Sequence, residues 1–340
     1  MGSHRRLAPS GLGRGRGATA AVLSAAAVAA AALGVLPADA VPHGDARATV
    51  DRLYQEAERA TEAYNKAEEQ AGSLRRQIGQ AQDRIARQQG RVNGLRDALG
   101  ALAGAQYRSG GLDPSLALLF SDSPDAYLDR ATTLDRIGAQ QAVRLRGLQS
   151  ALRELAQERT ETAGKFAALE KSRTAVAQHK KAVERKLAAA RRLLNSLPVA
   201  ERAAYERASR SAGDVPDLRG GAVALDGRAA AAVAAARSAL GHPYVWGANG
   251  PAGFDCSGLM QWSYAHAGIG LPRTSQQQRY AGRHVPLSEA RPGDLVVYRN
   301  DASHVAMYVG NGMVIHAPHP GAAVRYDPVG MMPVSSVTRP

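Results

Sequence analysis

From Val50 onward, apolar or small residues recur at alternating spacings of three and four. They are Val50, Leu53, Ala57, Ala60, Tyr64, Ala67, Ala71, Leu74, Ile78, Ala81 and Ile85, then, after a lapse at Gln88, Val92, Leu95, Leu99 and Leu102. That alternation keeps one stripe of a helix on a single face, the a/d pattern of a left-handed coiled coil. No proline interrupts Gly44 to Asp113. Six glycines between positions 72 and 104 each weaken such a helix by roughly 1 kcal/mol relative to Ala. A second series runs Leu148, Leu152, Leu155, Arg159, Thr162, Phe166, Leu169, Arg173, Val176, Lys180, Val183, Leu187, Ala190, Leu194 and Leu197. Its polar members predict looser pairing than in the first.

Ser109-Gly110-Gly111-Leu112-Asp113-Pro114 must break the helix between the two series. Leu116 to Phe120 is then a short apolar segment, and Ser123-Pro124-Asp125 reads as a new N-cap with Pro at the first helical position. Residues 41–212 are therefore expected to form two long antiparallel helices with an apolar tip near 112–128. The tip either ends a rigid spacer or docks a partner through Leu116, Leu118, Leu119, Phe120, Tyr127 and Leu128, since a rod has little core in which to hide them. Residues 213–227, with Asp214-Val215-Pro216-Asp217 and Gly220-Gly221, read as a linker. Residues 228–340 are long enough for a core of their own.

The chain carries 43 Lys and Arg against 30 Asp and Glu, a net charge of +13, which would suit a nucleic-acid partner. The N-terminus argues for export instead. Arg5, Arg6, Arg14 and Arg16 precede an uncharged apolar run from Ala18 to Leu36, which ends in Ala38-Asp39-Ala40. Those are the parts of a cleavable signal peptide, expected over 1–40; the rival reading is an N-terminal membrane anchor. An exported basic chain is secreted or held at an anionic cell wall. Nucleic acid is not an expected partner, because the Arg-rich rod lacks interleaved aromatics.

One cysteine rules out an intramolecular disulfide and leaves, outside the cytoplasm, a reactive group, an intermolecular bridge or an inert buried thiol. Arg228–Leu240 is an Ala-rich helix ending at Gly241, and a helix is expected from Cys256 to about Gly268. Cys256 thus falls at a helix N-terminus, where the dipole and unpaired amides favour the thiolate. Leu295–Tyr298, His304–Gly310 and Met313–Ala317 read as strands, with Asn311-Gly312 as a hairpin turn between the last two. The hairpin brings His304 close to His316, so that one ring could activate the cysteine while the second group orients it. A zinc site from His316 and His319 with His304 or His284 lacks any His-Glu-x-x-His or paired-Cys spacing. No metal or cofactor is expected. Gly-x-Ser-x-Gly is absent, which removes the common serine-hydrolase motif.

Tyr244-Val245-Trp246-Gly247, Phe254-Asp255-Cys256-Ser257-Gly258-Leu259, Leu271-Pro272-Arg273-Thr274-Ser275, Arg291-Pro292-Gly293-Asp294-Leu295, His304 to Gly310 and Ile315-His316-Ala317 together resemble the NlpC-type peptidoglycan endopeptidases. The resemblance covers residues 228–340. It implies an α+β fold, a papain-like antiparallel sheet with packed helices, that cleaves the γ-D-glutamyl–diaminopimelate bond of peptidoglycan stem peptides. Carried over, Cys256 is the nucleophile, His304 the base and then the acid, and His316 the polar third residue. Tyr244 would line the oxyanion side, and Asp255, Ser257, Arg273 and Ser275 the substrate groove. Ala248 departs from the family, many of whose members have a second glycine there. The coiled coil is similar to the regulatory arm of a subset of these enzymes. In that subset the arm binds a cell-division ABC-transporter-like membrane complex and restrains the enzyme until it docks, and Leu118 to Ser123 carry the likeness. The rival expectation is a non-catalytic wall-binding scaffold or adaptor.

Overall fold

A computed structural model of the chain describes residues 43–108, 123–210 and 227–340. The expected signal peptide, most of the linker and the tip residues Leu116, Leu118, Leu119 and Phe120 lie outside the described residues, as does the side chain of Tyr127. Leu128 stands exposed on its helix.

The heptad stripe forms α1 (His43–Arg108), unbroken through all six glycines. Its 66 residues span roughly 100 Å at 1.5 Å per residue. Pro124 opens α2 (Pro124–Ser196), as the Ser-Pro-Asp cap predicts. Cross-links run antiparallel: Lys186 donates to Glu56 at 2.5 Å, Arg84 to Glu158 at 2.6 Å and Gln88 to Glu154 at 3.1 Å, so the α2 number falls as the α1 number climbs. Val50, Ala57, Ala67, Ala71, Ile78, Ala81 and Val92 are buried on the expected face of α1. On α2 the buried residues are Ala151, Leu155, Thr162, Leu169, Ser172, Val183, Leu187 and Ala190, and Leu197 is buried just past its end.

Four expected core positions of α2 are corrected. Arg159, Phe166, Arg173 and Lys180 point outward, and Ala151 and Ser172 take inward places instead. Small residues let the helices approach closely, and the Ser172 hydroxyl donates to the Ala67 carbonyl of α1 at 2.8 Å. Bulky or charged groups would hold the helices apart there. A further helix, α3 (Val199–Arg210), follows the Leu197-Pro198 turn and is not expected from the periodicity. Among the described residues no helix is long and apolar enough to cross a membrane.

The C-terminal part builds α4 (Gly227–Ser238), α5 (Cys256–His266), the short α6 (Ser275–Gln278), and strands β1 (Arg283–Val285), β2 (Leu295–Tyr298), β3 (His304–Gly310), β4 (Met313–His316), β5 (Arg325–Pro328) and β6 (Val334–Arg339). The strands form one antiparallel sheet in the order β1-β6-β2-β3-β4-β5. With α4 and α5 packed on the sheet, this is an α+β fold. Leu295, Val297, Val305, Met307 and Ile315 face a core shared with Leu259, Met260 and Tyr264 of α5. Asn311 and Gly312 both have positive φ, 53° and 69°, the geometry a tight two-residue hairpin turn requires. That turn fixes the β3–β4 register, with Met307 opposite Ile315, and so sets His304 and His316 on neighbouring strands.

Candidate active site

Asp255 caps α5, and its Oδ1 accepts from the Gly258 amide at 2.7 Å. Gly258 is required here: a Cβ would stand 2.2 Å from the Ala248 carbonyl oxygen. Cys256 is therefore the first residue of a helix whose opening turn is pressed against the 244–249 loop. The Asp255 Oδ2 also accepts from the Gly247 amide at 3.0 Å. Arg273 grips the same carboxylate with both terminal nitrogens, at 3.0 and 2.7 Å, and reaches the Ser257 hydroxyl at 3.0 Å. Asp255 and Arg273, expected to line a groove, are thus committed to each other and to the helix start. Ser275 donates its hydroxyl to the Ala302 carbonyl at 2.7 Å and leaves its amide facing the site.

Across from α5, the His304 Nε2 and His316 Nδ1 lie 2.8 Å apart, and the His316 Nε2 lies 2.7 Å from the Asp327 carboxylate. Arg325 holds Asp327 in turn, at 2.8 Å. Burial, aided by His304 and opposed by Asp327, lowers the His316 pKa to about 4, so its ring is neutral at pH 7. Asp327 stays ionised: burial works against it, but His316 and Arg325 outweigh burial and lower its pKa. A neutral His316 that donates from Nε2 to Asp327 must accept at Nδ1. His304 then donates from Nε2, and its Nδ1 is the nitrogen turned to the rest of the site. Tyr244 is buried beside Cys256; burial first, then the nearby thiol, raises its pKa.

What the motifs do not contain is the other wall of the site. Glu58, Thr61, Glu62 and Asn65 of α1 are each 4% exposed or less, a polar strip one step around the helix from the heptad face. Glu58 makes a short contact with the His304 Nδ1 through one oxygen, and its other oxygen accepts from Arg299 at 2.5 Å. Glu62 accepts from the Ser257 hydroxyl at 2.7 Å and from the Ser275 amide at 2.8 Å, with the Cys256 Sγ 3.7 Å away. Asn65 donates to Asp255 at 3.0 Å. One oxygen of Glu58, the thiol sulfur and a ring nitrogen of His304 all lie within 4.8 Å of one another.

This wall reverses an expectation. The helix N-terminus favours the thiolate, yet Cys256 is buried and its pKa rises well above the usual thiol value, through burial first and then Glu62, Glu58 and Asp255. A helix dipole is worth at most about 2 kcal/mol, too little to offset burial beside three carboxyl groups. Glu62 shares the stress: burial and Asp255 push its pKa up to about 8. Glu58 stays ionised, because His304 and Arg299 overcome its burial.

His319, weighed as a metal ligand, instead stacks on Tyr54 of α1 with ring centroids 4.7 Å apart, and His284 of β1 sits beside Tyr280. No signal in a heptad stripe could have singled out Glu58 and Glu62, since acidic residues beside the stripe ordinarily meet water. Arg299 and Asp327 are likewise isolated in sequence.

The NlpC/P60 family matches over positions 241–337. Residues 241–337 form an NlpC/P60 domain. A "Probable endopeptidase" of Corynebacterium glutamicum is 41% identical over 126 residues, 37% of this chain and 59% of the relative. One of Mycobacterium tuberculosis is 44% identical over 99 residues, 29% of this chain and 26% of the relative. The alignments thus span between about a quarter and three fifths of these relatives' length. A solved P60 domain from Mycobacterium avium subspecies paratuberculosis is 37% identical, with a TM-score of 0.32 over 33% of this chain and 93% of that one. The family match lies wholly within the NlpC/P60 domain and does not reach α1, α2 or α3.

Proposed function

We propose that the chain is a secreted, wall-associated cysteine endopeptidase of peptidoglycan stem peptides, and that the arrangement described is its restrained form. The bond cut is the γ-D-glutamyl–diaminopimelate amide. The observation that carries the reading is the array of buried Cys256, His304 and His316 with half-buried Asp327 in an NlpC/P60 domain, with two acidic side chains of α1 seated among them. Export rests on the basic and apolar N-terminal stretch.

Once α1 withdraws, Glu58 leaves the His304 Nδ1 and the thiol can take its place. His304 removes the thiol proton, and the sulfur attacks the scissile carbonyl to form a tetrahedral intermediate, whose oxyanion would be stabilised near the Tyr244 hydroxyl. His304 returns the proton to the leaving amine as the C–N bond breaks to leave a thioester, which water then hydrolyses with His304 again as base. While Glu58 is seated, the base is engaged by an acid from the same chain and the thiol is covered. The arm therefore acts as an internal inhibitor, and its tip is the natural handle for a membrane partner such as a division ABC-transporter-like complex.

The test is digestion of purified muropeptides by the full chain, by a Glu58→Ala/Glu62→Ala chain, and by that chain with Cys256→Ala. The double variant is expected to release products split at the γ-D-glutamyl bond at least about tenfold faster than wild type, given 1.5–3 kcal/mol for a hydrogen bond to a charged group such as the ionised Glu58. Cys256→Ala should abolish release. Binding to the wall with no cleavage by any of the three would leave the scaffold reading.

A further inference from the structure

Arg299 occupies an unusual place. It begins the five-residue connection from β2 to β3 with φ of 65°, and Ala302 in the same connection has φ of 51°. Neither is Gly, and side chains held in that region are strained unless their surroundings fix them. Here the backbone is pinned: the Arg299 amide donates to the Pro333 carbonyl at 2.8 Å, and the Ala302 amide to the Arg299 carbonyl at 3.1 Å. The strained turn aims the guanidinium toward His304. Its Nη1 donates to the Ser303 hydroxyl at 3.1 Å and to Glu58 at 2.5 Å. The neighbouring acid of the same connection, Asp301, is engaged with Arg59 of α1 at 2.6 Å and with the Ser303 amide at 3.2 Å.

One carboxylate therefore bridges the base and a largely buried cation. Both contacts come from α1, so withdrawal of the arm leaves the guanidinium without that acid. Among the described residues, withdrawal leaves the guanidinium with the Ser303 hydroxyl alone, and the place Glu58 vacates fits another carboxylate.

We infer that Arg299 is a specificity residue, binding a free carboxylate on the amine side of the scissile bond, with Glu58 as its stand-in. This rests on the reading of Cys256 and His304 given above. The side follows from geometry. His304 must hand its proton to the leaving amine, and Glu58 lies against His304. Glu62, one helical turn on, meets the Ser257 hydroxyl and the Ser275 amide instead. In a stem peptide the amine-side acid is the second carboxyl of the diamino acid, so the open enzyme should favour the free acid over its amide.

The experiment uses the full Glu58→Ala/Glu62→Ala chain, with Arg299 intact, Arg299→Gln or Arg299→Lys. The substrates are two L-Ala-γ-D-Glu-diaminopimelyl-D-Ala carboxamides, whose first diaminopimelate carboxyl is in the bond to D-Ala, one with the second carboxyl free and one with it amidated. The expected result is that Arg299→Gln lowers the free-acid to amide ratio of kcat/KM by about tenfold or more, mostly through KM, as loss of a charge-assisted hydrogen bond implies. Lys should restore part of the ratio. An unchanged ratio overturns the inference, whatever happens to the absolute rates. Calorimetric binding of both peptides to the same chains carrying Cys256→Ala separates the two levels. Arg-dependent preference for the free acid without turnover would sink the endopeptidase reading while leaving the carboxylate site standing. Equal binding of the two peptides when Arg299 is intact, with no change on Arg299→Gln, overturns the site itself.

Discussion

At the scale of single residues, the site is governed by how many acids share one dry pocket. Glu62 has a pKa pushed up to about 8 in the seated arrangement, against about 4.3 in water. The seated state therefore holds Glu62 protonated, and this contribution is fully present below the free value and lost as pH rises through 8. Glu58 has the opposite sign. Its pKa is lowered from 4.5, so its contribution holds above that value and disappears as pH falls through the lowered one. The arm should be most firmly seated in the mildly acidic range and should loosen toward alkali. Between pH 6 and 8 the fraction of open chain is expected to rise by at least about tenfold, since one proton per unit of pH is worth 1.36 kcal/mol. Glu62→Gln mimics the protonated acid and should flatten that alkaline limb. Fluorescence of Trp246, whose ring meets Tyr64 of α1 edge-on at 5.2 Å, would follow the change across pH 5 to 9. A Gln variant that still opens with alkali would assign the limb to another group. Cys256, His304 and His316 were legible as motifs because chemistry restricts those positions to few residue types. Glu58 and Glu62 were not, because an acid on a helix surface is the commonest residue there and only its burial makes it special.

At the scale of elements, the two long helices were legible from period alone, and their inward faces only in part. The period locates a stripe, but which member of a stripe faces the partner depends on how closely the backbones approach. Small residues such as Ala71, Ala81, Ala151 and Ser172 bring α1 and α2 together, and this turned Phe166 outward. Leu169 is a large side chain buried in that seam, packed with Ala71 and Ile78. Leu169→Ala should therefore destabilise the rod by about 2 kcal/mol, the low end for a buried Leu, since the seam is narrow. Urea melts followed by far-ultraviolet circular dichroism would measure it. A change under 0.5 kcal/mol, the size usual at surface positions, would mean the seam is not packed as described. The hairpin was legible for a different reason, since Asn311-Gly312 carries a local backbone requirement that few other residues meet, whereas α5 was legible from the spacing of Leu259, Met260, Trp262, Ser263 and Ala267.

At the scale of the whole molecule, the contacts between the rod and the NlpC/P60 domain are distributed, so the proposed release should be cooperative along α1. Besides Glu58, Glu62 and Asn65, the rod touches the NlpC/P60 domain through Tyr54 on His319 and Tyr64 on Trp246. The Tyr205 hydroxyl of α3 donates to Asp51 of α1 at 2.8 Å, and Arg325 beside the His316 relay donates to the Ser209 carbonyl at 2.9 Å. No one of these contacts is large, but all lie on helices too stiff to yield one at a time. A helix that bends little moves its whole buried strip together, so weakening the two carboxylate contacts should expose the thiol without melting the rod. Cys256 is 1% exposed in the seated state, and its rate of alkylation by iodoacetamide reads the open fraction directly. In the full chain at pH 7.5 alkylation should be slow, and Glu58→Ala/Glu62→Ala should speed it by at least about tenfold, by the same charge-assisted hydrogen-bond energies. The midpoint of rod unfolding should stay in place, because neither acid belongs to the α1–α2 seam. Equal alkylation rates in the two chains would show that the carboxylates do not hold the arm. Faster alkylation together with a lower unfolding midpoint would show that the rod opens by melting rather than by lifting away.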